Sequence, residues 1–377
     1  MHESTEALTV VVVGDIGPDR PDARELFNLN RSVLQEADLS IGQLELILSP
    51  LGERLPQVRH TARAKAEDAE ALREAGLDVI TFAGNHTLDF GTSAMLDTVR
   101  ILEAQGLAVA GVGIDLPSAI EPVLIERRGR RIAVFSFASV MPQDYWATDR
   151  RAGCAPARAF TFYEQIEHDQ PGTPSRVHTF PHREDLRQAV EAVRAARAAT
   201  DVVLVAMHWG IHFIPAVIAD YQRDYAHALI DAGADAILGH HPHILKGVEI
   251  YDGRPIFYSL GNFGMDTPIT PEHVASKGFQ EIQALNPTWV PNFEHRFNFP
   301  PDSRKTIFAK LTFSSAGELS VRAIPAWIND DSQAEILHAG DPRLNEVVDY
   351  LAAISREVDL ETDYRIDGDE ILIESGS

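Results

Sequence analysis

Three times along the 377 residues, a helix-like stretch closes on a glycine and gives way at once to a short apolar run. Residues 66–75 stop at Gly76 before 78–83, residues 92–105 at Gly106 before 107–110, and residues 219–232 at Gly233 before 236–239. Glycine just past a helix end takes the left-handed conformation without a Cβ clash. Each triplet therefore predicts helix, stop and buried strand. Residues 183–200 set Leu186, Ala189, Val190, Val193 and Ala196 on one helical stripe and lead into a run at 201–207. The β-branched run 9–13 reads as a strand ending in Gly14-Asp15, and 23–37 reads as one helix. Helices alternating with strands predict an α/β fold with a largely parallel sheet.

Later, 306–314 and 319–327 alternate as a hairpin around Ala316-Gly317, and a short helix near 343–356 precedes an acidic tail. A single domain over 1–377 is expected, interrupted at 141–181 and 264–303 by segments rich in proline and aromatic residues. Structureless stretches of that length inside a domain are usually functional or disordered, and here they are expected to be substrate loops.

Charge narrows the function. Fifty-six acids against 33 bases leave a net charge of −23. Such a balance opposes nucleic acid, anionic membranes and polyanionic substrates, which need compensating Lys and Arg. The single cysteine, Cys154, cannot form an intramolecular disulfide and reads as a structural thiol. No signal-peptide pattern is seen, and the longest apolar runs, 77–83 and 202–207, fall far short of the ~20 residues a membrane span needs. A soluble, cytoplasmic protein is expected.

Chemistry-bearing residues cluster just after the predicted strands, where open α/β sheets build their sites. The clusters are Gly14-Asp15, Gln43-Leu44-Glu45, Gly84-Asn85-His86 with Asp89, His208-Trp209-Gly210, and Gly239-His240-His241-Pro242-His243. A packing role does not explain so many polar groups at the ends of buried strands. Mixed imidazole nitrogens and carboxylate or amide oxygens suit divalent metals: Mn²⁺, Zn²⁺ or Mg²⁺. The remaining histidines, including His2, His60, His178 and His227, read as surface or loop residues. No dinucleotide-binding glycine pattern, phosphate-binding loop or serine nucleophile elbow appears.

From Thr9 to Phe263 these blocks resemble the CapA capsule-synthesis family and, more distantly, the calcineurin-like metallophosphoesterases. The Gly84-Asn85-His86 block, Asp231-Ala232-Gly233-Ala234-Asp235 leading into Gly239 to His243, and Tyr258-Ser259-Leu260-Gly261-Asn262-Phe263 carry the likeness. It implies a metallophosphatase-like four-layer α/β/β/α sandwich holding two metal ions. Glu45 would bridge the ions, Asp15 and His243 would hold one, and Asn85, His208 and His241 the other. His86, paired with Asp89, would be an acid/base. Three positions depart from the pattern. Asp15-Ile16-Gly17 lacks the histidine of Asp-x-His, leaving a gap for Asp19 or water to fill; Gln43 replaces an asparagine; and His212 stands where the family usually shows glutamate.

A two-metal site serves hydrolysis by activating water, or proton exchange by polarising a carbonyl next to a Cα–H. With a base on each face of that carbon, exchange inverts the centre. His86 is one candidate base, and His295, in the aromatic-rich insertion, or His212 the other. Family members of this type include the peptide epimerases of ribosomal-peptide pathways, lasso peptides among them. The expected activity is therefore a metal-dependent isomerase acting on a precursor peptide, with room for a partner protein that recognises the peptide. The alternatives are a metallophosphoesterase or a peptide/amide hydrolase, and beyond these a poly-γ-glutamate biosynthesis protein or a non-catalytic binding module.

Overall fold

The structure, a computed structural model, describes residues 6–58 and 62–376, so His2 and His60 lie outside the described residues. Two sheets carry the fold. The ten-stranded sheet runs Thr362–Asp367, Glu370–Ser375, Leu319–Ile328, Lys305–Phe313, Leu8–Gly17, Leu39–Leu44, Val79–Thr81 and Ala108–Ala110. Asn262–Met265 and Ala334–Ile336 pair beside that path. The six-stranded sheet runs Val248–Tyr251, Arg254–Phe257, Ala236–His240, Val202–His208, Arg130–Ala138 and Val123–Arg127.

Side chains alternate across each strand, and the alternation sorts them into three cores. Leu8, Val10 and Val12 of the first strand meet Ile132, Val134, Val202, Leu204 and Leu238 of the other sheet in a core the two sheets share. Val11 and Val13 point the opposite way, onto a helical layer that includes Leu34, Leu72, Met95 and Leu102. On the outer face of the second sheet, Val203, Val205 and Phe135 pack against Ala189, Val193, Tyr225 and Leu229. The helix Pro342–Glu357 adds Leu344, Val347, Leu351 and Ile354 to the shared core. This is a mixed α/β fold. Its strands are parallel where helices connect them and antiparallel at the hairpins.

All three helix–glycine–strand predictions match observed elements, with Gly76 at a left-handed φ of 107° and Gly233 at 113°. Residues 23–37 are not one helix. A 3-10 turn at Ala23–Phe27 and a helix at Arg31–Glu36 are separated by a break in which Asn30 is buried and its amide donates to the Ala334 carbonyl at 3.0 Å. Asparagine side chains compete for backbone partners, which disfavours a helix interior. The acidic tail is also ordered, as the hairpin Thr362–Asp367 with Glu370–Ser375. A second hairpin, Ala159–Gln165 with Ser175–Pro181, occupies much of the first long segment, and short helices at Pro271–Val274 and Lys277–Gln283 occupy the second. Among the described residues, no helix is long and apolar enough to cross a membrane.

Candidate metal centre

Parallel register brings the strand ends together. Asp15 pairs with Gln43 on one side and Asn262 on the other, while His208 pairs with His240 in the second sheet. Gly14 makes the first junction possible: a Cβ there would meet the Gly261 carbonyl oxygen at 2.1 Å, and the neighbouring Asp15 amide donates to that oxygen at 3.1 Å. Beyond His240 the chain turns sharply, with His241 at φ 94° and His243 at φ 55°. Non-glycine residues at such angles cost about 1–3 kcal/mol each and persist only where the surroundings enforce them. Here that strain aims two imidazoles at the carboxylates of the first sheet.

At the centre, Asp15, Glu45 and His208 are buried, each with a ligand atom within 4.8 Å of the others. His208 Nε2 lies 2.6 Å from Asn85 Oδ1 and 3.6 Å from Glu45 Oε1. His243 places Nδ1 3.5 Å from Asp15 Oδ2 and Nε2 4.0 Å from Glu45 Oε2. The His241 amide donates to Asp15 Oδ2 at 3.1 Å, and its ring centroid is 4.9 Å from that of His208. The structure thus gathers Asp15, Glu45, Asn85, His208, His241 and His243 in one place.

Several atoms of this cluster are buried without a hydrogen-bond partner: both Glu45 carboxylate oxygens, His208 Nδ1, His241 Nδ1 and His240 Nε2. Each such atom costs about 1–3 kcal/mol, and more if charged. A divalent cation is the group that oxygen and imidazole donors left in this way would satisfy, so the residues fit a metal.

The electrostatics agree. Burial, then the Asp15 and Asp89 charges, push the Glu45 carboxyl well above the usual range. Burial would raise Asp15 too, but His240, His243 and His208 outweigh it and hold Asp15 below its ordinary value. Burial depresses His208 to about 3, and also lowers His241 and His243. At neutral pH these imidazoles are therefore unprotonated, as ligation requires.

His86 has a carboxylate partner of its own. Its Nδ1 lies 2.7 Å from Asp89 Oδ2, and Asp89 Oδ1 accepts the Tyr145 hydroxyl at 3.2 Å. Asp89 thereby fixes the ring through one nitrogen and leaves Nε2 for chemistry. Cys154 is buried, with its thiol pushed up to about 11 chiefly by burial, as a structural thiol should be. His212 faces inward, its ring 3.9 Å from His241 and 5.5 Å from His243, and burial holds it well below its ordinary pKa.

His295 is not brought into this cluster. Its Nδ1 is 3.3 Å from Asp330 and its Nε2 3.0 Å from the Asn292 amide. It lines a cavity of about 340 Å³ together with Trp289, Phe297, Phe299, Asn298 and Arg304. That cavity adjoins the centre through Phe299, whose ring is 4.6 Å from His243, and through Trp289, 5.7 Å from Phe213.

His240 and Asn262, to which the sequence assigned no role, also border the centre. His240 puts Nδ1 3.3 Å from Asp15 Oδ1, an imidazole beside the aspartate whose usual histidine partner is missing. Asn262 Oδ1 lies 2.8 Å from His243 Nδ1. Gln43 is turned away, accepting from Thr81 at 2.8 Å and donating to the Ala83 carbonyl at 3.2 Å. The backbone amide of Asp19 donates to Asp266 at 3.0 Å, and its carboxyl, half-buried, is raised by burial and by Asp266. The run of histidines flagged His240, and Asn262 sits in a block that carries the family likeness; its place at the centre follows from the long-range pairing of residue 15 with residue 262.

Comparison with known proteins agrees with this geometry. The family model for the bacterial capsule synthesis protein PGA_cap matches residues 9–267, the span that carries every strand end of the cluster. The chain belongs to this family. Within the PGA_cap family it is similar to the PGA biosynthesis protein CapA of Bacillus subtilis, 32% identical over 53% of this chain and 46% of that one. It is also similar to the capsule biosynthesis protein CapA of Bacillus anthracis, 29% identical over 70% and 61% respectively. A third relative, the uncharacterized protein y4sH of Sinorhizobium fredii, is 30% identical over 71% of this chain and 68% of its own. The chain spans about half the length of the Bacillus subtilis relative it matches.

Proposed function

We propose that this PGA_cap member is a metal-dependent peptide epimerase, inverting the Cα centre of the C-terminal residue of a ribosomal precursor peptide such as a lasso peptide. The observation that carries the reading is an aromatic cavity set directly against a buried carboxylate–histidine cluster. Asp15, Glu45, Asn85, His208, His241 and His243 would hold the ions, which when bound polarise a carbonyl and so acidify the adjacent Cα–H. His86, oriented by Asp89, would move the proton on one face, and His212 or His295 on the other. Trp289, Phe297 and Phe299 would pack the terminal side chain and exclude water. The surroundings suit a peptide better than a phosphoryl group, since Arg304, the cation of the cavity, is already engaged by Asp330 at 2.7 Å. Two sheets sharing a core, each covered by helices, support the four-layer sandwich of the calcineurin-like enzymes as the frame. A cytoplasmic location and a partner protein that presents the peptide complete the proposal.

A second reading, an accessory role in poly-γ-glutamate synthesis, is favoured by the names of the Bacillus relatives. Against it stands the net charge of −23, which opposes a polyanion. Incubating the metal-loaded protein with peptides in D₂O tests both. Deuterium uptake at Cα without cleavage is the expected result. Cleavage, phosphate release, or activity confined to poly-γ-glutamate would replace the proposal with hydrolase or capsule chemistry.

A further inference from the structure

Lys246 lies three residues beyond His243 and is among the most completely buried large side chains of the molecule, at 1% exposure. Burying an ammonium is expensive unless something specific is gained by it. Its Nζ donates to two main-chain carbonyls, those of Ile214 and Val217, the latter at 3.1 Å. Burial draws its ionisation down to about 7, and among the described residues no carboxylate offsets that shift. A lysine kept without a carboxylate partner in an apolar setting is poorly explained as a stabilising ion pair.

What it grips is more informative. Ile214 and Val217 belong to the irregular segment after His208, which runs from Gly210 to the start of the helix Asp220–Asp231. That segment carries His212 and Phe213, whose rings pack on His241 and His243. Among the described residues, Lys246 is the only side chain that hydrogen-bonds the main chain between Ile214 and Val217. Its own backbone is anchored, with the Lys246 amide donating to Ser259 at 3.3 Å and Leu245 bridged to Leu260.

We infer that Lys246 is a positioning residue, a buried clamp that ties the His212 segment to the strand-end wall presenting His241 and His243. The clamp acts at the carbonyls of Ile214 and Val217 and touches no metal-binding side chain directly. Its role concerns the geometry of the site, whichever reaction that site performs.

The test uses the full chain loaded with Mn²⁺ and the near-isosteric Lys246→Met, with Lys246→Gln as a second variant should the first not fold. Thermal midpoint, metal stoichiometry and amide hydrogen exchange by segment are measured. A clamp that spends stability on position gives an unchanged or raised midpoint and unchanged metal content. Exchange should then quicken by about tenfold or more in residues 211–218 alone, the worth of one charge-assisted hydrogen bond. A lowered midpoint with faster exchange throughout the chain would make Lys246 an ordinary fold residue and overturn the inference. Exchange in 211–218 within about twofold of wild type would overturn it as well. So would failure of both variants to fold.

Discussion

Glu45 has two buried oxygens without a hydrogen bond, and in the metal-free protein burial and the neighbouring Asp15 and Asp89 charges oppose its ionisation. The sign of the consequence is definite. A carboxyl raised in the folded state contributes stability below its unfolded pKa and loses that contribution as pH rises through the folded value. At neutral pH, metal-free Glu45→Gln should therefore melt higher than metal-free wild type. Added Mn²⁺ should stabilise wild type, by about 2.7 kcal/mol at a hundredfold excess over Kd, and so raise its midpoint while leaving that of the variant nearly unmoved. Differential scanning calorimetry with and without metal checks this, and equal metal-induced shifts in both proteins would remove Glu45 from the ligand set. His208 works in the opposite direction: depressed to about 3, it destabilises the metal-free fold progressively as pH falls from about 6.5.

His86 poses a different residue-scale question. It is oriented by Asp89 and, on the proposed reading, serves as an acid/base rather than as one of the donors that would hold the ions. His86→Ala should keep metal content near normal while turnover falls by roughly 10²–10⁴, the usual worth of a general acid–base group. Elemental analysis alongside Cα deuterium exchange separates the outcomes; parallel loss of metal and turnover would turn His86 into a ligand.

At the scale of elements, the strand Leu8–Gly17 is the one on which the site depends, because it changes partners halfway. It pairs antiparallel with Lys305–Phe313 up to Val12 and parallel with Asn262–Met265 from Asp15 onward. The handover occurs over Gly14, against the Gly261 backbone. Gly14→Ala should cost about 1–3 kcal/mol by overpacking, and displace Asp15 enough to weaken metal binding. Urea midpoints and metal titration check both effects. Gly278→Ala serves as a control, since its added Cβ meets nothing within 4 Å and sits in the helix Lys277–Gln283.

This strand also marks what the sequence could and could not disclose. Local patterns found the helix–glycine–strand units and the late hairpin, because turn chemistry and hydrophobic period are properties of neighbouring residues. Polar clusters at the ends of apolar runs pointed to a metal site, but it was the family likeness that singled out Asp15, Glu45, Asn85, His208, His241 and His243 within them. The pairing of Asp15 with Asn262 was not legible, since it joins residues far apart in the chain. Nor was the hairpin Val123–Arg127 with Arg130–Ala138, whose turn at Arg128-Gly129 has no strong sequence signature. The break within 23–37 follows from Asn30 bonding to Ala334, again a partner the local pattern does not contain.

For the molecule as a whole, the governing fact is a net charge of −23, against which a cavity proposed to take a substrate has to work. Such a field repels a carboxylate at a distance, so a peptide C-terminus is drawn in only if cations at the centre reverse the sign locally. The cavity beside His243 offers aromatic walls for a bulky terminal side chain, and the carboxylate–histidine cluster lies next to it. A terminal carboxylate is a stronger partner for bound cations than the neutral carbonyl of an internal residue. The same contact would stabilise negative charge developing as the Cα proton leaves, and stabilisation that grows toward the transition state is what lowers a barrier. On the proposed epimerase reading, the protein is therefore expected to act on the last residue of a peptide, with amidation of the terminus abolishing turnover. Mass spectrometry of paired free-acid and amidated peptides in D₂O decides the matter. Equal exchange in the two, or exchange mapped to an internal residue, would defeat the assignment of the substrate end.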